Sequence, residues 1–152
     1  MSTNAKPIPE GFSTVTPNLV VDGGAEAIDF YERAFGAEVT ARLEAGGMLV
    51  HAAIRIGDSL VTLCDPMPGH GFVAPDREAP VTSFITLYVE DADALHARVL
   101  AAGATEINPI ADHVHGDRAG SVRDPFGHRW AIATHVEDVS PEEIERRMAE
   151  LA

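Results

Sequence analysis

The chain reads as an α+β protein of tandem βαβββ modules forming a curved mixed sheet with a cup, and three observations predict this. Two segments carry helical periodicity, and each is stopped by a glycine, Gly36 and Gly103. Each is preceded by one short alternating run and followed by three more. Matching Gly36 with Gly103, and Gly57 with Gly127, gives an internal offset of about 67 to 70 residues, the mark of a duplicated unit.

In chain order, residues 1–13 form an N-terminal extension that has no apolar core of the kind a secretory signal carries. The first module spans 14–65. Thr14 to Val21 alternates as a strand, with Val15, Leu19 and Val21 on one side and Thr16, Asn18 and Val20 on the other; Pro17 places it at an edge or a bulge. Ala25 to Phe35 is a helix with Ile28, Tyr31 and Phe35 inward and Glu26, Asp29 and Arg33 outward. Strands follow at Glu38 to Glu44, Leu49 to Ile56 and Ser59 to Cys64, the last two joined by a Gly57-Asp58 turn. Residues 66–81, rich in Pro and Gly, read as a linker or lid loop.

The second module spans 82–136: a strand at Phe84 to Val89, a helix capped by Asp91 or Asp93 with Ala92, Leu95, Val99 and Ala102 on its apolar face, and strands at Glu106 to Ile110, Ala119 to Arg123 and Arg129 to Thr134. His96 falls on the outer face of that helix, and Trp130 points to the core with Ile132. Residues 137–152 carry a C-terminal helix announced by a capping box, Ser140 with Glu143, and by Pro141 at the first helical position.

Bulk properties narrow the function. A formal charge of −13 and a pI near 4.7 repel phosphate backbones, so nucleic-acid binding is not expected. No span reaches the roughly 20 apolar residues of a membrane helix. Cys64 is the single cysteine, which excludes an intrachain disulfide and suits a cytoplasmic protein. Phosphate loops, serine nucleophile elbows and paired-cysteine motifs are absent from the sequence.

Two strings are distinctive: Gly116-Asp117-Arg118, and Asp124-Pro125-Phe126-Gly127-His128-Arg129-Trp130-Ala131-Ile132, whose first four residues are turn chemistry between two strands. They resemble the last hairpin of the vicinal oxygen chelate superfamily, which comprises glyoxalases, bleomycin-resistance proteins and extradiol dioxygenases, and in particular its PhnB-like branch. The resemblance spans about Thr14 to Glu143. It implies that the two modules line a cup that serves as the active or binding site, and that a second copy of the chain completes its rim in a homodimer.

In metal-dependent members of that superfamily, the first strand of each module carries a His or Glu and the last a Glu. Carried over, those positions fall on Thr16, Phe84, Thr62 and Ala131, and none is a useful ligand for zinc, iron or nickel. No cofactor is therefore expected. A divalent metal on a non-standard set, with His51 and His115 among its ligands, is the alternative and would make the chain a lyase, isomerase or oxygenase. His113, His115 and Asp117 alternate, but on a straight strand they would spread over about 13 Å, too far for one ion. His70 belongs to the linker, while His128 and His135 read as structural members of the last hairpin.

By strand parity the cup receives Thr16, Asn18, Thr62, Phe84, Thr86, Tyr88 and Ala131. The expected ligand-binding set is Thr16, Asn18, His51, Thr62, Phe84, Thr86, Tyr88 and Arg118: aromatics for stacking, hydroxyls and an amide for hydrogen bonds, His51 as a donor or general base, and Arg118 for an anionic group. The function expected is metal-free binding of a small organic ligand.

Overall fold

A computed structural model, describing residues 4–152, shows the first repeat as β1 (Asn18–Val20), α1 (Gly24–Phe35), β2 (Glu38–Ala45), β3 (Met48–Ile56) and β4 (Ser59–Cys64). The second repeat follows as β5 (Ile85–Tyr88), α2 (Ala92–Ala102), β6 (Thr105–Asp112), β7 (Asp117–Arg123) and β8 (Arg129–His135), and α3 (Pro141–Glu150) ends the chain. Each repeat is one four-stranded mixed sheet, in the orders β1-β4-β3-β2 and β5-β8-β7-β6. The chain separates into two units after Ala79. The α+β, twice-βαβββ reading holds. The first three residues of the expected N-terminal extension lie outside the described residues.

Within the first unit, α1 buries Ile28, Tyr31 and Phe35 as its periodicity requires, and Asp29 with Arg33 form an outward ion pair at 3.1 Å. The Tyr31 and Phe35 rings stack at 5.7 Å against a sheet face of Leu19, Ala52, Ile54 and Leu63, all buried. Asp65 ties the helix start to the sheet, accepting from the Gly24 and Leu49 amides, both at 2.8 Å. The first strand is shorter than expected. Pro17 offers only its carbonyl, which accepts from the Thr62 amide at 3.0 Å, so pairing begins there and Val15 is left 80% exposed rather than turned inward.

In the second unit, Val99, Val122, Trp130 and Ile132 are fully buried. Asp91 caps α2 through the Ala94 amide at 3.0 Å. His96 corrects the sequence reading: it is 5% exposed, with Nε2 at 2.9 Å from Glu106 on β6. It stands one helical turn from both Ala92 and Val99, so the apolar stripe carries it inward. The Asp-Pro-Phe-Gly turn is held by Asp124, whose carboxylate accepts from the Phe126 amide (2.9 Å), the His128 amide (3.0 Å) and Trp130 Nε1 (2.8 Å). α3 starts as expected, with Ser140 Oγ accepting from the Glu143 amide at 3.2 Å. The Glu143 carboxylate takes Arg146 and Arg147 and is drawn down to a pKa of about 2. No helix among the described residues is long and apolar enough to cross a membrane.

Candidate functional site

On β5 the side chains alternate, so Thr86 and Tyr88, with Phe84 just before the strand, lie on the face opposite α2. Register then fixes their neighbours: Thr86 pairs with Ala131, Ala131 with Ser121 and Ser121 with Asn108, while Tyr88 pairs with Ala133 and Ala133 with Ala119. The result is a floor of alanines and one serine beside two aromatic rings, Phe84 59% and Tyr88 65% exposed. Small side chains let a flat organic group approach the sheet, and exposed rings offer it stacking partners.

The two ends of this face differ in charge. At one end Asp117, 5% exposed, accepts from the Tyr88 hydroxyl at 2.9 Å and lies 2.7 Å from His135 Nδ1 and 3.3 Å from His115 Nε2. His135 Nε2 reaches Asp138 at 2.7 Å. Burial pushes the Asp117 carboxyl up, but hydrogen bonds from His135 and Tyr88 and the charges of the two histidines outweigh it, leaving the pKa below its ordinary value. Its hydrogen bond and negative charge raise the Tyr88 phenol, which stays a donor. Hydrogen bonds to Asp117 and then Asp138 raise His135. At the other end Arg129 lies over the Phe84 ring, 5.7 Å from its centroid, with Nη2 3.4 Å from Ser121 Oγ.

Arg118 belongs to the opposite face. Its guanidinium holds Asp93 on α2 at 2.7 and 2.9 Å and Asp112 on β6 at 3.2 Å, so it fastens helix to sheet. In the first unit Asn18 and Thr62 share the face opposite α1: the Thr62 hydroxyl and Asn18 Oδ1 are 2.7 Å apart, and Asn18 Nδ2 lies 3.4 Å from the Cys64 sulfur. Thr16 donates its hydroxyl to the Ser13 carbonyl at 3.1 Å, and His51 is exposed on β3. The second unit thus gathers Phe84, Thr86 and Tyr88 on one surface, and the first gathers Asn18, Thr62 and His51.

Sequence reasoning passed over Ser121, Asn108 and Arg129. Arg129 shares the parity of Ala131, and that signal was available; the pairing of Ser121 with Asn108 needed the strand register, including the shifts on β6 at Glu106/Asn108 and Asn108/Ala111. The metal positions of the resembled superfamily do not fit a cation here. Phe84 and Ala131 offer no lone pair, and the Thr62 hydroxyl is engaged within its own sheet. Among the described residues no three His, Cys, Asp or Glu side chains are grouped so as to hold a metal ion.

The chain resembles proteins of known structure and sequence along most of its length. A protein of Mycobacterium bovis, itself uncharacterized, is 39% identical over 153 residues, covering 98% of this chain and 97% of that one. The crystal structure of TioX from Micromonospora sp. ML1 superposes with a TM-score of 0.64 at 28% identity, covering 82% of this chain and 99% of the other. A gene product of Arabidopsis thaliana superposes with a TM-score of 0.65 at 26% identity, covering 80% and 98%. The model of the Glyoxalase/Bleomycin resistance protein/Dioxygenase superfamily matches residues 12–132, from ahead of β1 into β8, and the chain belongs to this superfamily.

Proposed function

We propose that this protein is a metal-free small-molecule binder of the bleomycin-resistance type, holding an organic ligand against the sheet face of the second unit opposite α2. The observation that supports the reading is the alanine and serine floor flanked by exposed Phe84 and Tyr88, on a face where a metal-dependent relative would need ligands and this chain has Phe84 and Ala131. Binding needs no reacting group, only shape, stacking and a few directed hydrogen bonds. In the second unit Thr86 supplies a hydroxyl and Tyr88 a ring whose phenol oxygen still accepts; the first unit, by itself, offers Asn18, Thr62 and His51 on its own uncovered face, with Thr16 ahead of β1. Arg118 is left out, because Asp93 and Asp112 occupy its donors. A homodimer, a cytoplasmic location and membership of the PhnB-like branch belong to the same proposal, the last supported by the two strings of the final hairpin.

Two measurements test it. Protein purified without added metal is analysed for bound transition metal, and its melting temperature is followed against a library of aromatic and heteroaromatic compounds. The reading expects no stoichiometric metal and a saturable rise in melting temperature, equivalent to about 2.7 kcal/mol at a hundredfold excess over Kd. Phe84→Ala with Tyr88→Ala should remove that rise. Tightly held metal at one ion per chain would overturn the proposal in favour of a metal-dependent lyase, isomerase or oxygenase.

A further inference from the structure

We infer that the ligand of this face carries an oxyanion, a carboxylate or phosphoryl group, received by Arg129 and Ser121; this rests on the binding reading above. In a chain with 24 acidic and 11 basic residues, arginines easily find counter-charges. Arg33, Arg42, Arg55, Arg118, Arg146 and Arg147 each lie within ion-pair distance of a carboxylate. Arg129 does not. Half-buried on β8, its guanidinium meets the Phe84 ring and the Ser121 hydroxyl among the described residues, and no carboxylate. Removing a cation from water without an anionic partner is unfavourable, and an incoming anion relieves it.

Arg129 stands opposite Arg123 in the β7–β8 ladder, and Arg123 turns its Nε to the Gly127 carbonyl at 3.0 Å.

Ser121 completes the receptor. Its buried oxygen accepts from Asn108 Nδ2 at 2.8 Å and from Arg129 Nη2 at 3.4 Å, so its one proton remains to be donated. A planar guanidinium held over a ring, with a hydroxyl donor beside it, matches two oxygens of a carboxylate or phosphoryl group. The apolar remainder of the ligand then lies over Ala131 and Ala119, toward Tyr88.

The probes are 2-naphthoate, 2-naphthylphosphonate and the neutral 2-naphthamide. Each is titrated into the full chain and followed by amide and arginine side-chain nitrogen–proton resonances at constant ionic strength. At least one anion should bind about tenfold or more tighter than the amide, shifting Ser121 and the Arg129 Nε–H, and the ranking of the two anions assigns the oxyanion. Arg129→Gln should bring that ratio close to one, its amide resonances keeping the wild-type dispersion that reports a folded variant; Ser121→Ala should lower the ratio in part. Equal binding of amide and anions, or an anion preference that survives Arg129→Gln, overturns the inference and leaves the binding proposal standing. If none of the three perturbs this face, both fall.

Discussion

Asp124 shows how one side chain sets a local structure. Three donors converge on its carboxylate, among them the indole N–H of a fully buried tryptophan. Asp124→Ala leaves that indole without an acceptor and the turn without its brace, and should destabilise the protein by about 2–4 kcal/mol in urea melts. His135 makes a different prediction, on pH. Its pKa is raised above the ordinary 6.5 by Asp117 and then Asp138, so its contribution is complete below pH 6.5 and is lost as pH rises through the raised value. The Asp117 pKa lies below its ordinary 3.8, so the carboxylate's contribution is complete above that pH and is lost as pH falls through the lowered value. Urea midpoints of the wild type should decline on the alkaline side of the histidine range, and those of His135→Gln should not. A parallel decline in the variant would remove His135 as the cause.

At the scale of elements, the tight join is where the turn after β6 meets the end of β8. Gly116 has φ of 101°, and its carbonyl accepts from both the Val136 and Glu137 amides. A Cβ added there would lie 2.0 Å from the Glu137 carbonyl oxygen. Gly116→Ala should therefore cost more than about 2 kcal/mol, measured by thermal melting, by combining an unfavourable φ with a backbone collision. Elements of this kind were largely legible from sequence. Both helices stop at the glycines that periodicity named, and the Gly57-Asp58 turn and the capped start of α3 lie where expected. What was not legible depended on partners distant in sequence. Strand alternation continued the first strand back to Thr14, yet a strand needs a neighbour, and β4 supplies one only from Pro17 onward. His96, expected on the outer face of α2, is carried inward by its position in the helical stripe against β6. The binding face was half visible: Phe84, Thr86 and Tyr88 follow from alternation alone, whereas Ser121, Asn108 and Arg129 meet only once three strands are in register.

For the whole molecule, the excess of 24 acidic over 11 basic side chains sets a self-repulsion that dissolved salt screens. The melting temperature should rise from low to physiological ionic strength; a fall would mean that paired charges, such as Arg118 with Asp93 and Asp112 or Arg147 with Glu137, outweigh the repulsion. The superfamily assignment fixes the scaffold without fixing chemistry, since one fold hosts unrelated reactions. What distinguishes this member is the set of side chains it presents on the two sheet faces that its helices do not cover.

In each unit the opening strand lies parallel to the closing one. Asn18 bonds Thr62 across 44 residues, and Thr134 bonds Val89 across 45. Neither sheet can finish assembling until its last strand has left the ribosome. The leading half has all its strands by Cys64, while the trailing half must wait for His135. A nascent chain arrested between those two points would carry one complete sheet and one awaiting its final strand.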